Sequence, residues 1–130
     1  MTLSRRAALL AALGAALAAG PALAAEKSSF TLGAFAAAQK AGKSILVEIA
    51  APWCPTCWTQ GLILGGLLGE ARFNGLQVFT VDFDNQKDIV RSFRAQSQST
   101  LIVFKGSAEV GRSVGDTSIG GITELLARSL

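Results

Sequence analysis

Apolar positions fall along this chain in runs of two different periods. Leu32 to Lys40, L-G-A-F-A-A-A-Q-K, sets Phe35 among alanines and predicts a short helix stopped by Gly42. Ser44 to Ala51 behaves differently. Its I-L-V-E-I core is continuous, β-branched and of strand length, with no helical period. Such a run predicts a strand covered on both faces, as in a parallel or mixed sheet between helices. From Cys54 to about Arg72 a second helix is predicted, which Gly61, Gly65, Gly66 and Gly69 each weaken by up to ~1 kcal/mol relative to alanine. Leu76 to Phe83 alternates as a strand, and Gln86 to Ala95 sets Ile89, Val90 and Phe93 at helical spacing. Leu101 to Lys105 is a further strand, which Gly106-Ser107 turns into a hairpin with Glu109 to Val114. Thr117 or Ser118 can cap a last helix ending in L-L-A-R-S-L. The polar stretch from Ala25 to Ser29 is expected to fray. Strand–helix alternation followed by a hairpin predicts an α/β fold: a parallel core with an antiparallel edge, sandwiched by helices.

The first 24 residues follow another logic. Arg5-Arg6 precedes an uncharged Ala/Leu run from Ala7 to Ala19, and Pro21-Ala22-Leu23-Ala24 supplies small residues for cleavage. This reads as a signal peptide cut after about Ala24, and Ser4-Arg5-Arg6 partly resembles a twin-arginine export signal. The alternative is an uncleaved membrane anchor, for which the run is short against the ~20 residues a spanning helix needs. Residues 25–130 then form one domain, and export to the periplasm is expected.

Charge and composition narrow the chemistry. The formal charge is +3, of which Arg5 and Arg6 supply two. The chain beyond Ala24 is nearly neutral and carries no cluster of basic residues to neutralise phosphates, so nucleic acid is not expected as a partner. The chain has two cysteines, Cys54 and Cys57, and no histidine. Structural zinc wants four Cys or His ligands and catalytic zinc three. Covalent haem wants His after the second Cys, where Trp58 stands. No metal or other cofactor is therefore expected. A purely structural disulfide is disfavoured too, because closing so short a loop removes little entropy from the unfolded chain.

A redox pair has positive support. Cys54 sits where the buried strand breaks into a helix, as N-cap, with Pro55 at the favoured first position and Cys57 at the third. A thiolate on Cys54 can accept the N–H groups of Thr56 and Cys57 and feel the positive helix end, both of which favour the anion. Cys54, expected nearer the surface, is then the nucleophile, and Cys57, one turn in, resolves the mixed disulfide. Glu48 interrupts the apolar run. It could point outward from an edge strand, but the flanking residues argue for burial, where a carboxylate can take the proton of Cys57.

Together A-P-W-C-P-T-C, the apolar strand before it and the element order resemble the thioredoxin family, over about Phe35 to Leu126. The resemblance implies a thioredoxin fold and thiol–disulfide exchange. It sets Trp53, Pro55 and Thr56 around the dithiol, and implies that Glu48 occupies the place of the family's buried acid. T-L-I-V-F-K-G, residues 100–106, resembles the strand after the family's cis-proline loop, and Val114-Gly115 the loop beside the dithiol that contacts substrate. Ser99, Thr100, Val114 and Gly115 are accordingly expected to bind substrate. Three departures stand out. Ser99 replaces the cis-proline, so that loop is expected to be trans or strained. Thr80 replaces the lysine that accompanies the acid, leaving Glu48 without a cation. The helix after Cys57 lacks its kinking proline and carries Trp58 and a Gly/Leu-rich stretch; Leu62, Ile63 and Leu67 are expected in the core, and Trp58 on an apolar docking surface.

The expectation is a monomeric exported reductase of disulfide-containing proteins, re-reduced by a dithiol protein such as a membrane thiol carrier. A disulfide-donating oxidase is the nearest alternative, since Pro-Thr between the cysteines resembles periplasmic oxidases. A non-catalytic binding or chaperone module is the other.

Overall fold

The computed structural model describes residues 25–130, and the predicted signal peptide or anchor lies outside them. Five strands form one sheet in the order β1-β3-β2-β4-β5. They are β1 (Glu26–Ser29), β2 (Ser44–Ala50), β3 (Gln77–Asp82), β4 (Thr100–Lys105) and β5 (Ala108–Val114). The helices are α1 (Leu32–Lys40), α2 (Pro55–Leu67), α3 (Lys87–Ser92) and α4 (Ile119–Ala127), with a short 3-10 turn at Ala71–Phe73. Strands β1, β3 and β2 run parallel, while β4 is antiparallel to β2 and β5 to β4. The predicted mixed sheet with an antiparallel edge is what is found.

Ala25 to Ser29 corrects the expectation from sequence. Residues 26–29 do not fray but form the edge strand β1, paired from Glu26–Gln77 to Ser29–Thr80. All four side chains are exposed. The strand is held by backbone hydrogen bonds to β3 and buries nothing itself, so it left no apolar pattern to read. The second helix also ends early, at Leu67, where a turn and the 3-10 segment replace its predicted continuation to Arg72.

Strand β2 is central, and Ile45 to Ile49 are all buried. Because side chains alternate across a strand, Ile45, Val47 and Ile49 enter one core with Phe30, Phe79, Phe93 and Phe104. Leu46 enters the opposite core, under α2 and α4, with Leu64, Leu67, Leu101, Ile122 and Leu126. Each such side chain contributes roughly 1.5–3 kcal/mol by leaving water. Glu48 shares the Leu46 face, so an acid occupies a position the pattern reserves for an apolar residue. Helix α2 turns Cys57, Gln60, Leu64 and Leu67 inward. Leu62 was expected in the core but is 81% exposed; the buried stripe runs 57, 60, 64, 67, and 62 lies on the other side of the helix.

The capping at both functional helices is local. Ser118, not Thr117, caps α4, its Oγ accepting the N–H of Gly121 at 3.1 Å. The β4–β5 turn needs its glycine. Gly106 has φ +57°, and a Cβ there would press on the Gln39 carbonyl and Gly42 at 3.4 Å.

Candidate active site

Helix α2 begins where β2 ends. Cys54 is its N-cap in extended conformation, and Pro55 supplies the preset φ of the first turn. The Cys57 N–H donates to Cys54 Sγ at 3.1 Å, and the Trp58 N–H donates to the Cys54 carbonyl at 3.2 Å. Of the two donors predicted for this sulfur, Cys57 takes part; no bond from Thr56 forms. The two sulfurs are joined as a disulfide with Cα atoms 5.2 Å apart. Cys54 is 2% exposed and Cys57 5%, so the expectation that Cys54 lies nearer the surface does not hold for this oxidised pair. The bonded sulfurs turn toward one another and pack with Ala50, Ala51 and Phe83.

The rim before Cys54 is held from β3. Trp53 is 56% exposed, and its Nε1 donates to Asp84 Oδ2 at 2.7 Å while its ring meets Phe83 edge-on at 6.5 Å. Asp82 shapes that turn by accepting the N–H groups of Asp84 and Asn85 and the Asn85 side-chain amide. The Asn85 amide is the chief reason the Asp82 carboxyl lies below its ordinary range, with the Asn85 backbone N–H next and burial opposing. Its ionised form therefore keeps the turn at neutral pH, and that contribution is lost as the pH falls below the ordinary carboxylate range.

Glu48 is buried, 4% exposed, opposite Leu101 on β4 and Thr80 on β3. Its Oε2 lies 3.0 Å from Lys27 Nζ. No donor among the described residues reaches that oxygen in hydrogen-bonding geometry, so the pair is a charge contact rather than a directed bond. This corrects the expectation that Thr80 leaves Glu48 without a cation. The cation comes from β1, two strands away, where Lys27 reaches past Thr80. Lys27, Glu48, Thr80 and Asp82 line an open cavity of about 380 Å³ together with Cys57, Trp58 and Gly61. The acid and the second cysteine thus share a space large enough for water.

The two loops expected to contact substrate meet each other, the Gly115 N–H donating to the Ser99 carbonyl at 2.9 Å. Thr100 pairs with Ile49 at the end of β2 from which the chain runs on to Cys54. The described residues contain no cis peptide bond, and Ser99 has φ +58°. The loop is therefore trans, as expected, and its serine is left-handed. Thr100 was expected to touch substrate, but it is 1% exposed and its Oγ1 donates to the Ser97 carbonyl. Ser99 is buried as well. Neither side chain is presented to a partner, because β4 enters the core at once; Val114 and Gly115 are exposed. The left-handed region costs serine roughly 1–2 kcal/mol, and glycine costs about 0.5–1 kcal/mol in the unfolded chain. The Ser99 hydroxyl also donates to the Gln98 carbonyl, a bond that glycine loses, so Ser99→Gly is expected to leave stability within about 1 kcal/mol of the unaltered protein, measured as a shift of the urea midpoint. A loss well beyond that would mean that the loop does not hold this conformation.

Gln60, which no sequence motif singled out, joins these loops. It is 1% exposed, and its Nε2 donates to the Ser99 carbonyl at 3.1 Å and the Asp116 carbonyl at 2.9 Å. The signal was present, as the single polar position on an apolar stripe at 57, 60, 64 and 67. Trp58 is 66% exposed as expected, its Nε1 donating to the Pro52 carbonyl at 2.9 Å.

Comparison with known proteins agrees with this geometry. The family model described as Thioredoxin matches residues 27–128. A thioredoxin from Echinococcus granulosus is 33% identical over 94 residues, covering 72% of this chain and 84% of that protein. A bifunctional thioredoxin reductase/thioredoxin from Mycobacterium leprae is 35% identical over 81 residues, but this chain spans only 18% of its length. It spans 51% of thioredoxin H2-1 from Oryza sativa, at 29% identity. Among solved structures, Trxlp from Edwardsiella tarda superposes with a TM-score of 0.76 at 38% identity, covering 78% of this chain and 98% of that one. Thioredoxin NaTrxh from Nicotiana alata, at 21% identity and a TM-score of 0.69, shares the fold over 82% of this chain and 94% of its own.

Proposed function

The chain belongs to the thioredoxin family of thiol–disulfide oxidoreductases, and from that premise we propose that it reduces disulfides of exported proteins through Cys54 and Cys57. The observation that carries this reading is the Cys57 N–H directed at Cys54 Sγ at the start of α2. In the reduced protein that donor and the helix end favour thiolate over thiol. The Cys54 thiolate attacks one sulfur of the target, a mixed disulfide forms, and the other target sulfur leaves as a thiolate that takes up a proton. Cys57 then loses its proton and attacks Cys54 Sγ. The Cys54–Cys57 disulfide closes, the second target thiol is released, and two electrons have passed to the target. Glu48 accepts the Cys57 proton through water in the cavity they share, with Lys27 Nζ 3.0 Å from its carboxylate. A dithiol protein, such as a membrane thiol carrier, must return the electrons.

Reduction rather than oxidation is supported by the likeness to thioredoxins. The reduction potential of the pair tests the direction. A value near about −270 mV agrees with a reductase, and one near about −120 mV overturns it in favour of a disulfide donor. Export is supported by the basic, apolar and small-residue order of residues 1–24. Protein isolated from its native cells should begin near Ala25 by mass spectrometry; a chain that keeps residues 1–24 would replace the cleaved signal with an anchor.

Trp58 stands exposed, as do Trp53, Leu62, Val114 and Ile119, and it lines the cavity that also holds Cys57, which makes it the aromatic side chain placed to meet a target beside the dithiol. Trp58→Ala is expected to weaken binding of a protein target several-fold, as loss of an aromatic anchor does. Trapped-complex affinities and thermal midpoints measured together check this, and unchanged affinity at unchanged stability removes Trp58 from the docking surface.

A further inference from the structure

We propose that Gln60 is a positioning residue for docking of polypeptide substrates, an inference that rests on the redox reading above. Its side-chain amide fastens two rim loops to the helix that carries the dithiol. Burying a glutamine on an apolar stripe is unfavourable unless its polar atoms are paired. Leucine, present at the next two positions of the stripe, would fill such a site without that cost. Here both amide hydrogens are used, one on the Ser99 carbonyl and one on the Asp116 carbonyl, while Oε1 is buried and unpartnered. A residue selected for packing alone has no reason to accept an orphaned oxygen.

The two carbonyls belong to segments with unusual backbones. Ser99 is left-handed and Gly115, beside Asp116, has φ +72°. The Ser99 carbonyl also accepts the Gly115 N–H at 2.9 Å, and Asp116 Oδ1 accepts both the N–H and the Oγ–H of the α4 cap, Ser118. Gln60 therefore completes a hydrogen-bonded belt from α4 through both loops to α2. It stands one turn beyond Cys57. With no proline to fix the Ser99 loop, this amide sets how far the rim stands from the sulfurs. A substrate whose disulfide is flanked by polypeptide must fit that spacing.

Gln60→Met keeps the length of the side chain and removes the donors. With insulin as the disulfide substrate, KM is expected to rise about tenfold and kcat to change less than twofold. An unchanged KM, or a loss confined to kcat, overturns the proposal while leaving the redox reading intact; absence of turnover in the unaltered protein sinks both. Should the variant fail to fold, the unaltered protein decides the matter. Its Gln60 side-chain amide protons are expected to exchange with solvent at least about tenfold more slowly than those of exposed Gln96, and equal rates overturn the belt.

Discussion

Cys57→Ser is expected to leave the protein covalently attached to its target. The first half of the exchange needs only the Cys54 thiolate, which keeps the backbone N–H of residue 57 as its donor, since serine retains that group. The second half needs a sulfur at 57 to displace the target, and serine is too poor a nucleophile to do so. Multiple turnover should fall by ~10³-fold or more, while a one-to-one mixed disulfide accumulates and is seen by non-reducing electrophoresis and intact mass. Cys54→Ser should lose turnover to the same degree and form no adduct. The asymmetry is the informative part. The two sulfurs are almost equally buried in the disulfide, so exposure does not assign the roles; position at the helix start does. An adduct through Cys57 in the Cys54→Ser protein, with none in its counterpart, would reverse them.

Glu48→Gln should slow release of the target by about 10²-fold near neutral pH, the usual contribution of a positioned base. The amide keeps the shape of the side chain but cannot take the Cys57 proton. The defect should shrink in alkaline solution, as the thiol ionises without help above its ordinary range near about 8.5. Stopped-flow decay of a preformed mixed disulfide, followed against pH, separates this from a loss of fold. A deficit that is constant across pH would remove Glu48 from proton transfer. Lys27→Met probes the same site from β1. It leaves the buried carboxylate without its cation, but because Lys27 is half exposed the cost in stability should be only about 1 kcal/mol, well short of a fully buried pair.

Much of this molecule could be read from its amino acids alone. The unbroken I-L-V-E-I run pointed to a central strand covered on both faces, because β-branched residues in a run of strand length, all of them buried, fit a strand between two layers of helices. The same segment placed the dithiol at a helix start, since Pro55 after Cys54 fixes the first turn and the spacing of three brings Cys57 back to it. Such features depend on neighbours within one turn or one strand. What only the tertiary structure decided depends on partners far along the chain. β1 is polar, and its pairing with β3 is made by backbone groups about fifty residues apart, which leave no trace in side-chain pattern. The cation for Glu48 therefore came from Lys27, a place no local motif could indicate. Gln60 likewise reads as a flaw in an apolar stripe until the fold brings the Ser99 and Asp116 carbonyls, 39 and 56 residues on, within reach of its amide. Periodicity reports which positions are buried; which polar groups meet there is set by the packing of elements, and folding alone brings them together.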